Sequence, residues 1–299
     1  MLKNMSLGAK LNLIMISIFL VIVLSTGFIL SLILEKKAEK VVADQAFILM
    51  ETMGSVRDYT SQQVNPELAS RLETEEQFLS QTVPAYSARE VFEGLRNSEQ
   101  YSDFFYKEAT LNPTNLRDKA DQFETTEIVE QFRAQSDLKE LTGFRSLPSG
   151  KIYYVARPLA VSKESCLRCH SNPNAAPQSL ITTYGDENGF GWKLNEIVGA
   201  QVISVPASKV FAAARRSQFL FIGILSGFFL AAALLINLFL NLSVIQPLKQ
   251  MSHLAKQVST GNMGGEFEHH ANDEIGILAA SLNRMKVSLE IAMNMLNQN

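Results

Sequence analysis

At 299 residues, 46% apolar and 19% charged, the chain is a folded protein whose apolar residues are concentrated in segments, and its length corresponds to about two domains. A net charge of −3 excludes the basic surface of a nucleic-acid binder. Two cysteines exclude a disulfide scaffold, and 9% aromatic content excludes a disordered tail.

Residues 1–10 form a short N-terminal segment with Lys3 and Lys10. Residues 11–34 then carry no charge over 24 positions, a length of ~36 Å at ~1.5 Å per residue, enough to cross a ~30 Å hydrocarbon core. A cleaved signal peptide has an apolar run of only ~7–15 residues followed by a small-residue cleavage site. Here Glu35, Lys36 and Lys37 follow, and the run reads as an uncleaved anchor.

Beyond the span, Val42, Ala46, Leu49, Met53 and Val56 recur at helical spacing, and Pro66 predicts the helix end. Helical patches follow in SAREVFEGLRN and DKADQFETTEIVEQFR. KIYYVARPLAV (151–161) and IVGAQVISV (197–205) read as strands, the second closed by Pro206, and Val210–Arg216 reads as a short helix. Residues 35–216 therefore form an α+β domain between two membrane passages. Its charge is divided: residues 51–140 carry a net −9 and residues 141–216 a net +5. The basic half would welcome the propionates of a bound cofactor, or is simply a solvated face.

That half contains Cys166-Leu167-Arg168-Cys169-His170, the CxxCH spacing of covalent c-type haem attachment. Two thiols three positions apart can each add to a vinyl group, and the adjacent histidine then reaches the iron from one face. A zinc site needs four ligands, and the other histidines, His253, His269 and His270, lie beyond the second span. A redox dithiol wants a strand feeding a helix that starts at the motif, whereas Pro173 and Pro177 predict a loop after it. The expected cofactor is haem c, with His170 as proximal iron ligand. Three distal arrangements are open: Met50 or Met53 as sixth ligand, a vacant position admitting NO or CO, or a lysine or tyrosine. Because covalent haem is attached on the non-cytoplasmic side, residues 35–216 are expected outside and both termini in the cytoplasm, in a two-pass inner or plasma membrane protein. The lysine and arginine counts flanking the spans do not decide the orientation.

Residues 219–242 form the second span, preceded by Arg215 and Arg216, with Gly223 and Gly227 as a possible helix-contact pair. In residues 243–299, Leu248, Met251, Ala255 and Val258 step by three and four. A break at 261–265 follows, and then Ile275, Leu278, Leu282, Met285, Leu289, Ala292 and Leu296 do the same. Two heptad helices per chain make a parallel four-helix bundle only in a homodimer. The tail resembles a HAMP domain in Pro247-Leu248, Gly261, Asp273-Glu274-Ile275-Gly276, Leu278, Leu282, Asn283 and Met285. The resemblance implies coupling of transmembrane movement to a cytoplasmic output.

The outer segment resembles the single-haem, PAS-like sensor family known mainly from cyanobacteria, formerly a domain of unknown function. The likeness lies in RDYTSQQVNPEL (57–68), YYVARPLAV (153–161), CLRCHSNPNAAP (166–177) and GFGWKLNEIVGAQVISVP (189–206). It implies a PAS-like sheet with c-type haem and a redox- or ligand-sensing role. Some members use a distal cysteine, and this chain has none to spare. The expectation is a non-enzymatic membrane receptor that signals to a cytoplasmic kinase or other output protein in trans, since no output domain follows residue 299. The runner-up is a membrane-tethered electron-transfer cytochrome, which would keep its redox function without residues 247–299. A peroxidase would want a distal acid–base histidine, which is missing.

Overall fold

The computed structural model describes residues 5–268 and 273–297, so that Lys3, His269 and His270 lie outside the described residues. The chain divides into two units, Leu32–Arg216 and Met1–Ser31 with Ser217–Asn299.

The Leu32–Arg216 unit is built on a four-stranded antiparallel sheet. Its strands are β1 (Phe105–Thr110), β2 (Leu141–Leu147), β3 (Gly150–Ala160) and β4 (Ile197–Pro206), in the order β1-β4-β3-β2. Both expected strands are present. β1 and β2 are additions to the sequence reading, and their composition explains why they were hidden. In β1, Lys107 and Glu108 interrupt the apolar alternation, and β2 carries Gly143 and Arg145 at a sheet edge.

Period-two alternation sends Tyr153, Val155, Ile203 and Val205 to one face, and Tyr154, Ala156, Ala200 and Val202 to the other. Helix α1 (Leu7–Tyr59) covers the first face with Val42, Ala46, Met50 and Met53, all fully or almost fully buried. Val42, Met50 and Met53 each contribute roughly 1.5–3 kcal/mol of burial. A short α2 (Asn65–Leu68) follows, and α3 (Pro84–Arg96) adds Ala88 and Phe92 to the same core. The second face is closed by a π-helical turn, Glu124–Val129, and α4 (Glu130–Ala134), through Ile128, Val129 and Phe132.

Pro66 does not end the helical run where it was expected to. A π-helical turn at Thr60–Val64 resets the hydrogen bonding, and Pro66 then falls in the first turn of α2. Its missing N–H is not needed there.

In the other unit, α7 (Ser208–Leu240) is followed by a π-helical turn, Asn241–Ile245, and α8 (Gln246–Ser259). Both long helical runs are long and apolar enough to cross a membrane. Within this unit the two apolar helices meet along their length. Phe19 stacks on Phe229 at 3.9 Å, Gln218 Nε2 donates to the Gly27 carbonyl at 3.0 Å, and Asn12 and Asn237 exchange amide hydrogen bonds of 2.9 and 2.7 Å. Nothing in the described residues lies within 4 Å of where a side chain would stand at Gly223 or Gly227, so that pair makes no helix contact within the chain.

Interhelical amide bonds in membranes are worth about 0.6–2 kcal/mol. Asn237→Leu is therefore expected to weaken the pair by about 1 kcal/mol, read as a lower midpoint on unfolding in mixed micelles. An unchanged midpoint would assign helix pairing to Phe19, Phe229 and Gln218 alone.

Helix α9 (Glu274–Asn297) packs on α8 through Met251, Val258, Phe267 and Ala279, with Asn283 exchanging two 2.9 Å bonds with the Phe267 backbone. Leu278, Met285 and Leu289 remain exposed on α9.

Candidate functional site

The connection between Ala160 and Ile197 leaves the sheet and returns to it. Its base is clamped by Val161 N–H donating to the Glu196 carbonyl at 2.9 Å and Asn195 N–H donating to Val161 at 2.8 Å. On it stand α5 (Glu164–His170), a 3-10 turn at Pro173–Ala175 and α6 (Gln178–Tyr184). The expected loop after the motif is thus largely helical. Pro173 sits in the opening of the 3-10 turn and Pro177 just ahead of α6, where proline does not interrupt a hydrogen-bond ladder.

Helix α5 carries the whole CxxCH motif. Glu164 in its first turn and Arg168 in its last complement the helix dipole. Cys166 and Cys169 are half-buried free thiols on one helical face. Burial pushes the Cys169 thiol up from its ordinary range, with the Arg168 charge opposing. That is the opposite of the depressed value that activates the thiolates of disulfide exchange.

His170 is held on three sides. Its ring stacks on Trp192 at 3.9 Å and 8° between planes, its Nδ1 lies 2.7 Å from the Gly189 carbonyl, and its own carbonyl accepts from Trp192 N–H at 3.1 Å. A carbonyl can only accept, so Nδ1 carries the proton and Nε2 keeps its lone pair. Burial pushes the imidazole below its usual range, more than the Gly189 hydrogen bond restores, which favours the neutral, ligating form.

One cavity of about 270 Å³ takes in Cys166, Cys169, His170 and Trp192. Its wall combines apolar residues, Leu72, Phe78, Leu180 and Val198 among them, with polar ones, including Arg57, Arg89, Glu108, Thr114 and Asp118. Buried Glu108 pairs with Arg57 and accepts from Tyr106 Oη at 2.6 Å, and Arg89 Nη1 donates to Asp118 at 2.9 Å.

The structure brings Cys166, Cys169 and His170 together and leaves Met50 and Met53 apart. The methionines pack in the sheet–α1 core with Phe92 and Tyr106 and do not line the cavity. None of the nine basic residues of the basic half lines it either. Both arginines in its wall come from the acidic half. Sequence reasoning assigned no role to Gly189, Trp192, Arg57, Arg89 or Thr114. The single tryptophan of the chain, directly after Gly191 and close to the motif, was the available signal.

The chain belongs to the Tll0287-like family, whose model matches residues 35–206. A HAMP domain model matches residues 239–291, which places the chain among signal-transduction proteins. Among solved structures, the crystal structure of the cyanobacterial heme-protein Tll0287 is similar at 16% identity and a TM-score of 0.40, over 55% of this chain and 94% of that one. No curated protein matches the chain.

Proposed function

We propose that the protein is a membrane-anchored, homodimeric receptor whose outer domain carries a c-type haem and senses its redox state or a small gaseous ligand. The observation that carries this reading is a cavity lined by both thiols and by an imidazole whose Nδ1 is already engaged, leaving Nε2 for a metal. When bound, the haem supplies a redox-active, ligand-binding iron. Cys166 and Cys169 would each add across a vinyl double bond, the sulfur bonding to one carbon and the thiol proton passing to the other, so no external oxidant is needed. His170 would be the proximal ligand.

The cavity wall has neither methionine nor lysine among the described residues but includes Tyr86 and Tyr184, which leaves a tyrosine or a position open to a small ligand as the sixth-ligand alternatives. Two apolar helices frame the outer domain, with the HAMP segment and the N-terminus on the cytoplasmic side. The apolar positions exposed on α9 support pairing with a second copy of the chain, which would relay the signal to an output partner in trans.

Protein expressed with a haem-maturation apparatus should keep a c-type pyridine haemochrome spectrum after denaturation and lose it as Cys166→Ser/Cys169→Ser. No covalent haem would overturn the reading. For the dimer, Leu278→Cys is expected to cross-link copies of haem-loaded protein in membranes, and Glu290→Cys to do so far less. Equal cross-linking would remove the parallel bundle.

A further inference from the structure

Among the described residues, two buried side-chain atoms have no hydrogen-bond partner, Arg89 Nε and Thr114 Oγ1, and both residues line the cavity that holds Cys166, Cys169 and His170. An orphaned buried donor costs about 1–3 kcal/mol, more when charged, and native structures leave few without a reason. Arg89 is held in place through one nitrogen of its guanidinium. Its Nη1 is taken by Asp118 at 2.9 Å, its side chain is only 12% exposed, and the Glu90 carboxylate stands 3.7 Å from Nε, beyond hydrogen-bond reach. A guanidinium has five N–H donors in a rigid fork, so one edge can serve Asp118 while another serves a second acceptor.

Thr114 is fixed by its neighbour. Gly189 approaches so closely that its missing side chain would stand 2.8 Å from the Thr114 Cα and N and would collide with Oγ1. The hydroxyl therefore sits against the segment whose carbonyl orients His170. Two orphaned donors in one cavity lining, one cationic and one neutral, are of the kind that a carboxylate oxygen accepts from.

We propose that Arg89 and Thr114 form a carboxylate subsite in the cavity, serving either a propionate of the attached haem or a free small carboxylate. In its propionate form the inference rests on the haem reading above. In its free-ligand form it does not. Glu108 and Asp118 share the wall, but Arg57 and Arg89 respectively neutralise them, so the subsite is not an anion trap by net charge. Its selectivity would come from the fork and the hydroxyl.

The haem-free full chain, Cys166→Ser/Cys169→Ser in nanodiscs, is titrated with sodium acetate against sodium chloride at equal ionic strength, reading the fluorescence of Trp192 in the same cavity. Acetate should give a saturable change that chloride does not. Arg89→Lys keeps a cation for Asp118 and removes the Nε donor, and Thr114→Val removes the hydroxyl at near-equal volume. Each should weaken acetate at least tenfold with far-UV spectra unchanged.

In haem-loaded protein, loss of acetate binding, together with a shift of the propionate bending mode in resonance Raman on Arg89→Lys, assigns the subsite to the propionate. Acetate binding that persists in loaded protein, read by the Soret band, assigns it to a free carboxylate. No saturable acetate effect in the haem-free chain and an unmoved Raman mode in the loaded one overturn the proposal. A chain that takes up no haem defeats the haem reading alone and leaves the acetate titration to decide the subsite.

Discussion

Gly189→Ala is expected to lower the thermal unfolding midpoint of the sheet domain by roughly 6–12 °C, and to cut the fraction of protein that acquires covalent haem. Gly189 has φ = +86°, in the left-handed region, where a side chain costs roughly 1–2 kcal/mol. The new methyl would also meet Thr114 Oγ1 and stand 2.8 Å from its backbone atoms, an overpacking of about 1–3 kcal/mol. A domain of this size loses about 2–4 °C per kcal/mol, and a total near 3 kcal/mol gives the stated range. The effect on the site follows from the same movement. The Gly189 carbonyl that accepts from His170 Nδ1 would shift, both imidazole tautomers would become accessible, and the ring would lose its fixed approach to a metal. Gly191→Ala is the control. Its φ of +80° imposes the same backbone strain, but nothing lies within 4 Å of the added methyl. Equal midpoints for the two variants would show that the Thr114 contact does not matter.

Glu108→Gln is expected to destabilise the sheet domain by about 3–5 kcal/mol, because it leaves the Arg57 guanidinium buried beside a neutral partner. Glu108 is 6% and Arg57 21% exposed, and Tyr106 donates to the same carboxylate. The perturbed neighbours report the tightness of the cluster. Burial works to lower Arg57 but the charges and hydrogen bonds of Glu108 and Tyr106 together more than offset it, and Tyr106 is pushed well above its usual range by burial and then by Glu108. Replacing both partners, as Arg57→Met/Glu108→Leu, should recover most of the loss, since well-packed apolar substitutes for a buried pair are often neutral or better. The measurement is a double-mutant cycle by denaturant unfolding. A coupling energy under about 0.5 kcal/mol would mean that the pair contributes no more than a surface bridge. The cluster joins α1 to β1 at the cavity wall, so the same variants test whether the wall keeps its shape without it.

Much of the architecture was legible because the signals are local. Charge-free runs of 24 residues can only be long apolar helices, and the heptad steps in residues 248–258 and 275–289 mark the α8 and α9 pair. KIYYVARPLAV and IVGAQVISV are strands by composition alone. CxxCH places two thiols and an imidazole on one short helix whatever surrounds them. β1 escaped notice because Lys107 and Glu108 break its alternation. Its buried carboxylate is tolerated only because Arg57, 51 positions away, stands against it.

The sequence by itself therefore determined the two long apolar helices, the HAMP segment, the α+β character of the domain between them and the three residues of the motif. Each depends on periodicity or spacing within a few turns of chain. Only the tertiary structure decided what faces the motif. It packed Met50 and Met53 into the core, and it drew Arg57, Arg89, Thr114 and Asp118 to the cavity from segments 48 to 109 positions before Cys166. It also turned Gly189 and Trp192 onto His170. A cavity wall is a product of sheet order and helix packing. The strand order β1-β4-β3-β2 and the closure of α1 and α3 over one face have no imprint in the residues near the motif.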